Sequence, residues 1–217
     1  MRLDKNTYGT VLLVYVLSVV LAILLFLFVQ TAWLVWPLAA LLLCFCLWQT
    51  YFHMVPDRKR AGSSSLVSSV ADGKVVRIGK AFETCYLCRE CQVVSVYMDF
   101  WDMHANFWPV TGSVSYTMYH PGEHFLAFKP KASEENEHTC TCIRTPGGND
   151  VFFKQLAGGF ARRIVCYARE GLDVTAGEQC GIIKFGSRID IYLPLDAEIL
   201  VEKGQYVRAC ETIIARL

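Results

Sequence analysis

Between Asn6 and Pro56 the chain carries no Asp, Glu, Lys or Arg. A run of that length without charge leaves few folds open. Two stretches within it, Thr10–Gln30 and Trp33–Tyr51, each approach the ~20 apolar residues that carry a helix across a bilayer. A hairpin buried in a soluble core would show polar residues along an outer face. A cleaved signal peptide has an apolar core of only ~7–15 residues and no second span behind it. The join, Gln30-Thr31-Ala32, is short, so the two spans pair as a tight helical hairpin. Arg2 and Lys5 precede the first span, and Arg58, Lys59 and Arg60 follow the second. By the positive-inside rule both ends then face the cytoplasm, with the hairpin in the inner membrane. Trp33, Trp36, Trp48 and Tyr51 fall near the water boundaries, where amphipathic rings are favoured, and His53 belongs to the same boundary.

The sequence thus divides into an anchor, residues 1–60, and a domain, residues 61–217, long enough for its own core. The 53% hydrophobic composition is high for a soluble chain, and the excess lies in the anchor. A net charge of +1 gives no electrostatic case for nucleic acid, which is not expected as a partner. The chain has ten cysteines, and those of the domain are expected as thiols, because the cytoplasm keeps them reduced. Ala61-Gly62-Ser63-Ser64-Ser65 reads as a flexible linker. Beyond it come short strands, among them Lys74–Ile78, Gln92–Tyr97, Ser113–Met118, Phe125–Phe128, Ile164–Ala168 and Ile189–Leu193. Turn pairs such as Asp72-Gly73, Pro121-Gly122 and Gly158-Gly159 separate them. A G-x-x-V-x-A-x-E pattern at Gly171–Glu178 recurs at Gly204–Glu211, resembling the hairpins of biotinyl and lipoyl carrier domains. The expected fold is mainly β, a compact sandwich or barrel with lipoyl-like hairpins behind a transmembrane helical hairpin.

Several residues invite chemistry, each with an ordinary alternative. In "CGIIKFGSRIDIYLP", Gly186-Ser187 interrupts two apolar runs and reads as an exposed serine between strands. Cys85, Cys88 and Cys91 in "CYLCREC" have C-x-x-C spacing twice, and Cys140, Cys142 or a histidine could complete a zinc site. Cys140-Thr141-Cys142 is C-x-C, however, and not the second C-x-x-C pair of a strong zinc signature, so no metal is assigned. His120 and His124 flank a Pro-Gly turn and are candidates to line a site; His138 sits among charges and reads as solvated. His104 lies in the aromatic stretch "FWDMHANFWP", where a histidine usually packs, and Asp72 precedes a glycine as in common turns. There is no G-x-S-x-G elbow, P-loop or G-x-G-x-x-G.

In order along the chain, "VADGKVVRI", "DMHANFWPVTG", "YHPGEHFLAFKPKASEENEHT", "QLAGGFARRIVCY" and "GEQCGIIKFGSRIDIYLP" resemble the short, membrane-anchored phosphatidylserine decarboxylases, a pyruvoyl-dependent family. The resemblance implies a proenzyme that cuts itself between Gly186 and Ser187, giving chains 1–186 and 187–217 that stay associated. Ser187 then becomes a pyruvoyl cofactor, with Asp72 and His104 as the residues that activate it. Asn106, in the same motif as His104, is a further candidate to line the site. The implied reaction takes phosphatidylserine from the bilayer, forms a Schiff base to the pyruvoyl ketone and releases carbon dioxide, leaving phosphatidylethanolamine. Archaetidylserine is an alternative substrate for the same chemistry, and the resemblance leaves homodimerisation open. A membrane-tethered lipoyl-like binding or scaffold module without self-processing is the competing reading. Phe107 stands where relatives usually carry Arg, Val70 where a proline is common, and His138 where Arg is usual. These departures bear on substrate identity, not on the self-cleavage residues.

Overall fold

The computed structural model describes all residues except 61–64, 124, 126–134, 160–162 and 185–186. Most of the linker, His124, most of the strand expected at 125–128 and Gly186 therefore lie outside the described residues. The chain divides into two compact units, Met1–Pro56 and Asp57–Leu217.

The first unit is the apolar hairpin. Helices α1 (Tyr8–Phe28) and α2 (Ala32–Phe52) have 21 residues each, about 32 Å of helix, enough to cross the ~30 Å hydrocarbon core of a membrane. Their facing sides interlock at both ends, with the Phe26 ring edge-on to Trp36 and the Tyr15 hydroxyl 2.9 Å from Thr50 Oγ1. The hairpin is closed by β1 (Arg2–Leu3), paired antiparallel with β2 (Met54–Val55). Most of the large apolar side chains point outward, among them Leu12, Leu13, Val16, Leu17 and Phe28. Such a surface is stable in lipid and not in water.

The second unit is β throughout. In chain order its strands are β3 (Leu66–Ser68), β4 (Gly73–Glu83), β5 (Arg89–Met98), β6 (Ala105–Phe107), β7 (Gly112–His120), β8 (His138–Arg144) and β9 (Asp150–Ala157). There follow β10 (Arg163–Cys166), β11 (Asp173–Val174), β12 (Gln179–Lys184), β13 (Ser187–Leu193), β14 (Glu198–Ile199), β15 (Tyr206–Val207) and β16 (Ile213–Arg216). Eight strands in the order β11-β7-β8-β9-β13-β5-β4-β15 form a sheet curled into a half-barrel. Two three-stranded sheets, β10-β12-β6 and β14-β16-β3, accompany it. On β13 the alternation is legible in the sequence: Ile189, Ile191 and Leu193 join the main core with Val94, Val96 and Phe153. Tyr192 turns to the other face, with Phe152, Cys140 and Cys142.

The repeated G-x-x-V-x-A-x-E segments form the two edges of the large sheet. Val174 on β11 and Val207 on β15 are both buried, and Gly171 and Gly204 both take positive φ, at 77° and 94°. Each repeat clasps an inner strand in the same way. Val114 N–H donates to the Leu172 carbonyl and Val75 N–H to the Gln205 carbonyl, both at 2.9 Å. Gly112 and Gly73 open those inner strands at matching points, where a Cβ would lie 2.2 Å from the Arg144 and Tyr97 carbonyl oxygens respectively. The sheet is pseudo-symmetric, and β9 and β13 meet at its middle.

Candidate active site around Ser187

Ser187 does not sit at the exposed hinge of a hairpin. β12 belongs to one sheet and β13 to another. Ser187 opens β13 and is fully buried, because β13 is flanked on both sides: Ser187 lies opposite Met98 of β5 and Ala157 of β9. By strand alternation its side chain shares the core face with Ile189.

Polar groups gather on that face. Ser187 Oγ lies 3.8 Å from Met98 Sδ, and Asn106 Nδ2 approaches the same sulfur at 3.7 Å. Gln155 Nε2 donates to Asn106 Oδ1 at 2.8 Å, and Thr139 Oγ1 donates to Gln155 Oε1 at 2.9 Å. All of these side chains except the nearly buried Thr139 are fully enclosed, so each polar contact replaces one with water. Asn106 is placed by β6, which pairs with β12 just before the crossing (Ala105 opposite Ile182). The pairing continues to His104, whose carbonyl accepts the Ile183 N–H at 3.3 Å. His104 is thus two positions from Asn106 in an extended chain and on the same side of it.

His104 is fully buried, and its Nδ1 lies 2.8 Å from the Asp102 carbonyl oxygen. A carbonyl only accepts, so Nδ1 carries the proton and Nε2 of the neutral ring is left as the basic nitrogen. Asp102 is held in turn by the Tyr206 hydroxyl on one oxygen and by the Asp99 N–H, at 2.7 Å, on the other. Burial pushes the Asp102 carboxyl above its ordinary range, and the Tyr206 hydrogen bond opposes that shift.

Asp72 is engaged elsewhere. Its carboxylate accepts both arms of the Arg58 guanidinium, Nη1 on Oδ1 and Nη2 on Oδ2 at 2.8 Å, and the Ala209 N–H donates to Oδ1 at 2.8 Å. The pseudo-symmetry explains the last contact. In the other half Thr111 Oγ1 accepts the Ala176 N–H at 3.1 Å, the same residue of the repeat. Position 72 therefore needs an acceptor to hold its edge turn, and a hydroxyl serves the twin position. Arg58, which reads in the sequence only as a topology charge, folds into the β unit as the partner of Asp72.

The sequence candidates thus separate. Ser187 and Asn106 meet at Met98, with His104 beside them on the same strand path. Asp72 is tied to Arg58 and Ala209, and Gly186 lies outside the described residues. His120 ends β7 directly opposite His138 of β8, and His138 alternates away from Thr139 onto the other face. His138 is buried in a strand, not solvated, because β8 begins where the charged segment ends. Met98, Gln155 and Thr139 were not legible as site residues. Their only signal is the cross-strand register, which no local motif encodes.

Ser187 is thus a buried serine at the head of a central strand, with the Asn106 and Gln155 amides on the same face. Comparison with known proteins gives the family. The sequence profile of the family described as phosphatidylserine decarboxylase matches residues 45–215. A phosphatidylserine decarboxylase proenzyme of Amoebophilus asiaticus is 42% identical over 79% of this chain and 76% of its own length. That of Parabacteroides distasonis is 37% identical over 100% of this chain and 99% of its own. That of Phocaeicola vulgatus is 43% identical over 71% of this chain and 68% of its own. The chain belongs to the phosphatidylserine decarboxylase family.

Proposed function

We propose that this protein decarboxylates phosphatidylserine to phosphatidylethanolamine with a pyruvoyl group that it makes from Ser187, on the cytoplasmic side of the inner membrane. The observation that carries the reading is the enclosed Ser187 heading β13, with Asn106, Met98 and the His104 strand around it. Self-processing needs a base near the hydroxyl, and in our reading that base is His104 through Nε2, the basic nitrogen of a neutral ring whose Nδ1 donates to the Asp102 carbonyl. As the proton leaves, Ser187 Oγ attacks the Gly186 carbonyl carbon. The Gly186–Ser187 C–N bond breaks, leaving an ester and a free amine. Loss of the Ser187 α-proton expels the ester as the Gly186 carboxylate. Water then enters, ammonia leaves, and residue 187 ends as a ketone.

The residues around Ser187 fit such a group. Among the described residues Asn106 Nδ2 faces a thioether, a weak acceptor, and so keeps donor capacity for a carbonyl oxygen at residue 187. Gln155 fixes that amide from behind. A ketone held there would supply the electron sink for the pair left on the head group's Cα as carbon dioxide departs. In this reading His104 also returns a proton afterwards. The apolar hairpin tethers the domain to the phase in which a phospholipid substrate resides. Residues 187–217 supply β13 to β16, so the two product chains remain associated through pairings of these strands with β5, β9, β4 and β3.

Purified wild-type protein should run as two chains, with Ser187→Ala a single one, and only the wild type should convert phosphatidylserine in mixed micelles. A wild-type protein that stays intact, with no carbonyl trapped by an amine and borohydride, overturns the proposal.

A further inference from the structure

On the face of the sheet opposite Ser187, four side chains converge that the decarboxylase reading does not use. Cys85, His120, His138 and Cys140 each offer one ligand atom, and all four atoms lie within 4.8 Å of one another. Their placement follows from the backbone. His138 and Cys140 are two apart on β8 and so share a face, and His120 is the cross-strand neighbour of His138. The two imidazoles stack with centroids 4.7 Å apart. Cys85 arrives from the turn between β4 and β5, where the Glu83 carboxylate accepts the N–H groups of Cys85, Tyr86 and Leu87 at 2.7–2.8 Å. That turn docks on β7 by stacking Tyr86 on Tyr116, with centroids 4.5 Å apart.

We propose that Cys85, His120, His138 and Cys140 form a structural zinc site. Two thiolates and two imidazoles are a donor set that suits zinc, with ligand distances of about 2.3 Å for sulfur and about 2.0 Å for nitrogen. Four such ligands would stand somewhat closer together than 4.8 Å, so a bound ion draws the cluster in without moving a strand. The histidines are prepared for it. His138 Nδ1 donates to the Asn136 carbonyl at 2.6 Å, which leaves Nε2 with its lone pair, the arrangement usual for a metal-bound imidazole. His120 Nε2 is enclosed with no hydrogen-bond partner among the described residues, a buried polar atom that a metal would satisfy. Both cysteines are free thiols.

The ligands are not those the C-x-x-C spacing suggests. Cys88 is exposed and sits at positive φ, and Cys91 is buried against Val93 and Tyr192. All four protein ligands are present, so the site is closed and its effect is mechanical. His120 and His138 bracket the β7–β8 connection, whose end is also tied by Asn136 Nδ2 to the Ala157 carbonyl at 2.7 Å. Ala157 is the strand neighbour of Ser187. Zinc would thus fasten the root of this connection one strand away from the processing serine.

The full chain, purified in detergent without chelator, should contain roughly one zinc per molecule by mass spectrometry of the metal. Refilled with cobalt, it should show the visible absorption of a tetrahedral thiolate-bound ion. Cys85→Ser combined with His120→Ala should lose zinc to a chelator about tenfold faster or more, whereas Cys88→Ser should retain it. Wild-type protein that holds no metal and takes up neither zinc nor cobalt overturns the assignment. So does a Cys85–Cys140 disulfide in reduced-buffer preparations, or loss of the ion on Cys88→Ser alone.

Discussion

Arg58→Met is the sharpest test of how the edge turn at Asp72 is held. The guanidinium grips both carboxylate oxygens, and the two side chains are only 13% and 8% exposed. Removing the arginine leaves a nearly buried carboxylate with one remaining donor, the Ala209 N–H. Breaking such a pair from one side destabilises by ~3–5 kcal/mol, and the slight exposure of Arg58 argues for the lower end, about 3 kcal/mol. For a domain of this size about 1 kcal/mol is worth ~2–4 °C, so the melting temperature should fall by about 6–12 °C. The twin position supplies the rescue. Thr111 holds the equivalent turn with a hydroxyl, so Asp72→Thr in the Arg58→Met background removes the stranded charge and keeps the acceptor. The double variant should recover to within about 1 kcal/mol of wild type. Tryptophan fluorescence melts of the detergent-solubilised chain read the stability, and a gel of the same samples reads self-cleavage. If Arg58→Met melts with the wild type, or the double variant melts no higher than the single, the pairing argument is wrong. Should the double variant refold and fail to cut, Asp72 has a role in processing beyond the turn.

Other positions give independent tests. At Gly181 an added Cβ would lie 2.3 Å from the Val165 carbonyl and 2.9 Å from Gln155 Nε2. Gly181→Ala should therefore destabilise by ~1–3 kcal/mol and slow self-cleavage by displacing the amide that holds Asn106, read by melting and by the fraction of intact chain over time. Met98→Ala opens a cavity beside Ser187; a loss of ~2–5 kcal/mol is expected, with slowed cleavage that a Met98→Leu variant largely restores. Tyr206→Phe removes the hydroxyl that favours ionised Asp102, at a cost of about 1 kcal/mol given how exposed the tyrosine is. Burial already raises Asp102 in the folded state, and losing this donor raises it further. The folded state then binds protons that the unfolded state does not, so the deficit is greatest at neutral pH. It should shrink as pH falls through the raised value, and a deficit independent of pH contradicts this.

The two spans were legible because charge is absent from them altogether, and hydropathy needs no tertiary information. Most strand positions were legible too: the expected Lys74–Ile78, Gln92–Tyr97, Ser113–Met118 and Ile189–Leu193 all fall within longer strands. Partners were harder. Gly-Ser between two apolar runs has the local chemistry of a turn, yet the runs pair with different neighbours and Ser187 is buried. His138 looked solvated because glutamates precede it, while strand register decides that it faces inward. Arg58 sits in a basic cluster after the second apolar helix, and nothing local says that one of these charges is claimed by Asp72. The cysteines mislead for the same reason: spacing favours Cys85, Cys88 and Cys91, whereas the sheet brings Cys85 to Cys140.

The position of residues 187–217 has a kinetic consequence. They provide a strand in the middle of the large sheet, a strand at its edge and two strands of a smaller sheet. An uncut chain finds these places by closing loops within one molecule, where the entropic penalty grows only slowly with loop length. A chain cut at Gly186-Ser187 would have to find them as two molecules, with a translational penalty that dilution increases. On the proposed self-cleavage, folding must then come before cutting, and the cut would work as a ratchet. A matured protein that has been melted should recover poorly and in proportion to its concentration, while the uncut Ser187→Ala chain should recover independently of it.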